Sequence, residues 1–88
     1  GESASETDQV AIERSLTSAP GVAKLINVRT QHLGPDELLI AAKIEFTADL
    51  SIPELAAAIN GAEKALRAAV PTAEHVFIEP DIYRAVAT

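Results

Sequence analysis

The chain has no cysteine and no methionine, and its only aromatic residues are Phe46, Phe77 and Tyr83. Without cysteine there can be no disulfide, thiolate zinc site, iron–sulfur cluster or cysteine nucleophile. No segment approaches the run of about 18 apolar residues that a membrane-spanning helix needs. No signal peptide is recognisable at the start either. The absence of methionine favours the interpretation that the sequence is a fragment of a longer protein.

Basic residues are few, with 7 Lys and Arg against 13 Asp and Glu and a net charge of −6. The seven bases are scattered along the chain, so the sequence predicts no nucleic-acid partner, because phosphate binding requires clustered positive charge. An acidic surface suits cations, although it more often serves solubility. A length of 88 residues with 48% hydrophobic content predicts one small folded domain, for which a partner subunit would add stability.

The first half of the chain predicts one helix and two strands. Ser5, followed by Asp8, has the pattern of a helix start, and a helix is expected over residues 7–18 with Ile12, Leu16 and Val10 facing inward. Strands are expected over residues 22–33 and 38–46, separated by turn-forming residues at positions 34–37. A short turn makes these strands antiparallel neighbours. Clear alternation in the second strand predicts a sheet with one buried face.

The second half predicts a helix and a third strand. Ser51 and Glu54 form a capping-box pattern, and an apolar stripe runs from Leu55 to Val70 before Pro71 ends the helix. The third strand is expected over residues 74–79, ended by Pro80, with a tail over residues 82–88. The pattern does not decide whether this strand is parallel or antiparallel to its neighbour.

The predicted order, helix–strand–strand–helix–strand, indicates an α+β fold. It corresponds to a ferredoxin-like two-layer sandwich that lacks the first strand, with a three-stranded sheet and two helices on one face. A sheet this small leaves one edge and one face uncovered, which favours dimerisation.

The sequence offers little for catalysis. His32 and His75 are the only histidines, no glycine-rich elbow surrounds a serine, and Arg29 lies in a strand rather than in a phosphate-binding loop. We therefore expect no enzymatic activity.

Four residues are candidate metal ligands: Glu79, Asp81, His32 and His75. Glu79 and Asp81 flank Pro80 at the end of the third strand, where oxygen ligands two residues apart can converge. Two carboxylates and two histidines would suit zinc or manganese. Each residue alone is more typical of an ordinary surface position, and the sequence does not show that the four meet.

Residues 22–46 resemble the C-terminal domain of cation diffusion facilitators, which has a polar strand, a Gly-Pro turn and an apolar strand. The match continues through Leu50-Ser51 at the start of the second helix, Pro71 at its end and the segment HVFIEPD at residues 75–81. The resemblance extends over residues 7–84, with residues 1–6 as a linker from the membrane domain and residues 85–88 as a tail.

The resemblance implies a homodimeric regulatory domain on the cytoplasmic face of the membrane, attached to a transmembrane domain of the same parent chain that exchanges a divalent cation for protons. Some family members bind zinc or related ions at the subunit interface. Here Glu79 replaces a histidine of the family pattern, and Lys43 and Ala56 stand where other ligands occur. This leaves either a carboxylate-rich site that prefers ions such as manganese or a domain that only dimerises. The alternative is a free-standing ferredoxin-like module that binds a small ligand or another protein.

Overall fold

The computed structural model describes residues 2–82. Its elements are α1 (Glu6–Thr17), β1 (Val22–Gly34), β2 (Glu37–Phe46), α2 (Ile52–Ala69) and β3 (Ala73–Ile82). The predicted order of helices and strands is confirmed. Neither helix is long and apolar enough to cross a membrane.

Serine side chains begin both helices, as the sequence predicts. The Ser5 hydroxyl accepts a hydrogen bond from the Asp8 N–H, and the Ser51 hydroxyl accepts one from the Glu54 N–H. The Glu54 carboxylate in turn accepts a 2.8 Å hydrogen bond from the Ser51 N–H. This backbone hydrogen bond, helped by the Ser51 hydroxyl, holds the pKa of Glu54 below its usual value.

The sheet has the order β1-β2-β3, with β1 antiparallel to β2 and β3 parallel to β2. The 18 residues of α2 extend about 27 Å at 1.5 Å per residue. That length carries the chain back along the sheet, so β2 and β3 begin at the same end. The strand direction that the sequence left open is therefore parallel.

The core lies between the two helices and one face of the sheet. Along β2 every second side chain is buried, from Leu38 to Phe46. α1 contributes Ile12 and Leu16 to this core, and α2 contributes Ala62 and Leu66. Because β2 is the central strand, its alternate side chains lie in one buried cluster with residues of both helices.

Two local predictions are wrong. Pro80 does not end β3, which continues to Ile82. β3 is an edge strand, and an edge strand tolerates proline where the missing N–H would point away from its neighbour. Val10 is 44% exposed rather than inward; Ile12 and Leu16 alone provide the buried stripe of α1. The tail predicted over residues 82–88 lies outside the described residues, apart from Ile82 in β3.

Residues of the predicted linker contact the exposed edge of β1. The Glu2 carbonyl oxygen accepts a 2.7 Å hydrogen bond from the His32 N–H. The Ala4 N–H donates a 2.8 Å hydrogen bond to the Thr30 hydroxyl, and Ala4 is buried. This segment therefore covers part of an edge strand that would otherwise offer unpaired backbone groups.

Candidate functional site

The face of the sheet opposite the helices carries most of the candidate ligands. We call it the open face. It contains Leu39, Ala41, Lys43 and Glu45 from β2, His75, Phe77, Glu79 and Asp81 from β3, and Asn27, Arg29 and Gln31 from β1. None of these residues is fully buried.

An apolar centre lies in the middle of the open face. Phe77 is 60% exposed and pairs with Ala41 on β2. Phe77 and Lys43 also line a shallow depression together with Arg29 on β1. An exposed aromatic ring surrounded by charged side chains is typical of the core and rim of a protein interface.

Glu79 and Asp81 lie on the open face, near the end at which β3 leaves the sheet. The Glu79 carboxylate is 3.5 Å from the Lys43 ammonium nitrogen. One Asp81 carboxylate oxygen accepts a 2.8 Å hydrogen bond from the Ile82 N–H. Both carboxylates therefore have partners within the subunit, and those partners are exposed and replaceable.

His32 lies on the other face. It pairs with Leu38, which is fully buried under the helices. Its ring Nδ1 is 3.3 Å from the Glu2 carbonyl oxygen. Within one subunit, the sheet itself separates His32 from the other three predicted ligands.

His75 is on the open face but at the opposite end of β3 from Glu79. The four residue steps between them correspond to about 13 Å at 3.3 Å per residue. One ion within a subunit cannot be held by both side chains. The four predicted ligands therefore do not form a single cluster inside one chain.

His75 is instead close to the carboxylates of Glu37 and Glu74, which are not among the four predicted ligands. Its Nε2 is 2.7 Å from the Glu37 Oε2. Glu37, Glu74 and His75 each place one potential ligand atom within 4.8 Å of the others. Imidazole nitrogen and carboxylate oxygen are donors that zinc and manganese accept.

The strand starts that carry this cluster are held firmly. The Leu38 N–H donates a 2.8 Å hydrogen bond to the Thr72 carbonyl oxygen. Arg67, at the end of α2, donates hydrogen bonds from Nη1 to the carbonyl oxygens of Ala73 and Glu74 at 2.8 and 3.1 Å. The guanidinium thus joins the end of α2 to the beginning of β3.

Strand direction explains why sequence reasoning missed this cluster. Glu37 begins β2 and His75 lies near the beginning of β3, so the two meet only if the strands are parallel. One signal was available: a long helix between two strands with short connections is typical of a parallel crossover. The turn chemistry of the sequence predicts Asp36 and Glu37 to be turn residues, whereas Glu37 begins β2.

The layer order and the open face define a ferredoxin-like α+β domain that leaves one sheet face uncovered. This chain belongs to the family described as the cytoplasmic domain of cation efflux proteins, whose model matches residues 4–83. The predicted family is thereby confirmed. A comparison with curated proteins finds no match.

Solved structures of the MamM C-terminal domain have the same fold. A variant with one histidine changed to alanine has a TM-score of 0.83 at 16% identity, covering 92% of this chain and 100% of that one. A variant with an aspartate and a histidine changed to alanine has a TM-score of 0.81 at 18% identity, covering 91% and 95%. A further variant, described as a nickel form, has a TM-score of 0.82 at 15% identity, covering 91% and 100%. At these identities the likeness establishes the fold.

Proposed function

We propose that this chain is the homodimerising regulatory domain of a divalent-cation/proton antiporter, on the cytoplasmic face of the membrane. Residues 1–6 would join it to the transmembrane domain of the same parent chain. The observation that carries the proposal is the open sheet face with an exposed phenylalanine at its centre. Family membership supports it, because the matching model describes a cytoplasmic domain of cation efflux proteins and is named for a dimer. We propose no catalytic role.

A second copy of the chain is the occupant that best fits the open face. Arg29 and Lys43 lie on it beside Glu45, Glu79 and Asp81, so a two-fold related copy can place opposite charges against each other. The apolar centre supplies a small desolvated core. Both requirements of a self-complementary interface are therefore available on this surface.

The size of the open face predicts a weak dimer. Three strands spaced about 4.8 Å apart, each about 33 Å long, give a face of roughly 500 Å². A standard interface buries about 800 Å² on each partner. Attachment to a dimeric membrane domain, or an ion shared between the subunits, would supply the stability that the small contact area does not. Such a marginal interface is suited to regulation, since a small binding free energy can shift the equilibrium between monomer and dimer.

We further propose that zinc or manganese strengthens this dimer through Glu79 and Asp81; His75, about 13 Å from Glu79 along β3, is too distant to join them within one subunit. Similar MamM structures are described as nickel, copper and cadmium forms, which supports divalent-cation binding as a property to test here. Lys43 would have to release Glu79, and that exposed pair is easily broken. His32, on the helix-covered face, is not part of this interfacial proposal.

Sedimentation of the 88-residue chain, with and without zinc or manganese, tests the proposal. We expect dimerisation that depends on protein concentration and is strengthened at least tenfold by metal. The double variant Glu79→Ala/Asp81→Ala should lose the metal effect. A matched control, Glu6→Ala/Glu13→Ala, removes the same charge from exposed positions of α1 and should retain it.

Each outcome assigns a role. A dimer whose strength does not change with metal would contradict metal sensing. The domain would then serve only to hold two subunits together. A monomer at every concentration and metal level would reject the regulatory dimer. The free-standing binding module would then be the better explanation, and the parent gene decides between the two. A transporter requires membrane-spanning segments encoded in the same reading frame.

A further inference from the structure

We infer that Glu37, Glu74 and His75 form a mononuclear site for a divalent cation such as zinc or manganese within each subunit. The site lies where β2 and β3 begin, at the opposite end of β3 from Glu79 and Asp81. It goes beyond the proposed function, because all three ligands come from one chain and binding requires no dimer.

Distances between the donor atoms are close to those required around one ion. The three ligand atoms lie within 4.8 Å of one another. Bonds of 2.0–2.1 Å in a tetrahedral site place neighbouring ligand atoms about 3.3 Å apart. The 2.7 Å separation of His75 Nε2 and Glu37 Oε2 must widen slightly, and the other two separations, which are at most 4.8 Å, must reach the same value. Side-chain rotation is sufficient for both changes, since Glu37 and His75 are only half-buried and Glu74 is exposed.

The backbone beneath the site has little freedom. Leu39 pairs with His75, and Leu38 with Ala73, in the parallel ladder. Arg67 holds the carbonyl oxygens of Ala73 and Glu74. Ligands on paired strands keep their spacing when the side chains turn, so binding costs little backbone entropy.

The donor set indicates the class of ion. Imidazole with carboxylates suits zinc and manganese, whereas calcium and magnesium prefer sites built from oxygen alone. Three protein ligands leave positions for water, as in open zinc sites. The partial exposure of the ligands predicts binding that is reversible rather than permanent.

A different explanation for the short contact is a hydrogen bond that simply joins the two strands. In that case Glu37 and His75 would contribute to stability but would bind no ion. Glu74 separates the two explanations, because its side chain is exposed and takes no part in the Glu37–His75 contact. A change at Glu74 should weaken metal binding and leave the fold intact.

Calorimetric titration of the chain with zinc, and absorption titration with cobalt as a spectroscopic probe, test the site. We expect one ion per subunit at protein concentrations low enough to be monomeric. Glu37→Gln, Glu74→Gln and His75→Gln should each weaken binding at least tenfold. Matched controls are Asp36→Asn, next to Glu37 in the chain, and His32→Gln, the other histidine; both should stay within twofold of the parent chain.

Several results would overturn the site. These are the absence of saturable binding, equal losses in the controls, or losses confined to the Glu79→Ala/Asp81→Ala variant. If Glu74→Gln bound metal as tightly as the parent chain, Glu74 would not be a ligand. The contact between Glu37 and His75 would then be only a hydrogen bond between strands. The inference and the proposed function fail separately, because stoichiometry in dilute solution reports on this site and sedimentation reports on the dimer.

Discussion

The two faces of β2 differ sharply although they belong to the same ten residues. Leu38, Ile40 and Ile44 are completely buried beneath the helices, whereas Leu39 and Ala41 between them are only half-buried. Burial of apolar area stabilises the fold by about 25 cal/mol per Å², so most of the stabilisation lies on the helix-covered face. The open face is left with residues that the fold does not require.

That difference separates folding from recognition within one strand. A side chain on the helix-covered face is constrained by close packing on every side. A side chain on the open face can change its partner, as Glu79 would do in leaving Lys43 for an ion. Equivalent substitutions on the two faces are therefore expected to differ in their effects on the stability of the fold.

Two phenylalanines give the largest expected contrast. Phe46 is fully buried and Phe77 is 60% exposed. Phe46→Ala should lower the free energy of unfolding by about 3–5 kcal/mol, because it removes apolar contacts and leaves a cavity. Phe77→Ala should lower it by less than about 1 kcal/mol in the monomer. Denaturant unfolding of both variants measures the difference.

The same pair should behave in the opposite way in sedimentation. Phe77→Ala should weaken the proposed dimer, since it removes the apolar centre of the open face, and Phe46→Ala should affect that dimer only through unfolding. Equal losses of stability from the two substitutions would contradict this prediction and make the open face part of the folding core.

Local patterns in the sequence were sufficient to predict most of the fold. The alternation of β2 predicts its buried face, and the inward positions of Ala62 and Leu66 in α2 and the capping residues Ser5 and Ser51 are confirmed. These features depend on residues close together in the chain. Their physical causes, side-chain periodicity and hydrogen bonding at helix ends, need no knowledge of the tertiary structure.

The remaining features depend on how the elements are arranged in space. Parallel pairing of β3 brings Glu37 to His75 across 38 positions of sequence. The edge position of β3 allows it to continue through Pro80. Strand direction and edge position are properties of the assembled sheet, so the sequence pattern of a single strand could not predict them.

A smaller effect on stability is expected at the N-terminal end of α2. Ser51→Ala should lower the free energy of unfolding by about 1 kcal/mol, because the hydroxyl that caps α2 is lost. Thermal unfolding at neutral pH measures this loss. A control, Ser3→Ala, changes an exposed serine outside the helices and should have little effect.

Glu54 adds a dependence on pH to the same cap. The Ser51 N–H lowers its pKa in the folded state, so the ionised form is favoured by folding. The ionised Glu54 stabilises the folded state fully when the pH is above the ordinary carboxyl pKa. This stabilisation is lost as the pH falls through the lower pKa that Glu54 has in the folded state. Glu54→Gln should therefore reduce the loss of stability in this acid range. An unchanged acid profile would show that the cap does not depend on this charge.

The smallest expected effect comes from the ion pair between Lys43 and Glu79. The two charged groups are 3.5 Å apart, but the side chains are 39% and 72% exposed. A double-mutant cycle with Lys43→Met and Glu79→Gln should give a coupling energy below about 0.5 kcal/mol, decreasing with added salt. Chemical unfolding should be followed at concentrations at which the chain is monomeric, so that dimer contacts do not contribute. A coupling above about 1.5 kcal/mol would mean that Lys43 holds Glu79 in place for the fold. In that case the carboxylate would not be free to bind a metal at the open face, and the two faces of the sheet would differ less than their burial indicates.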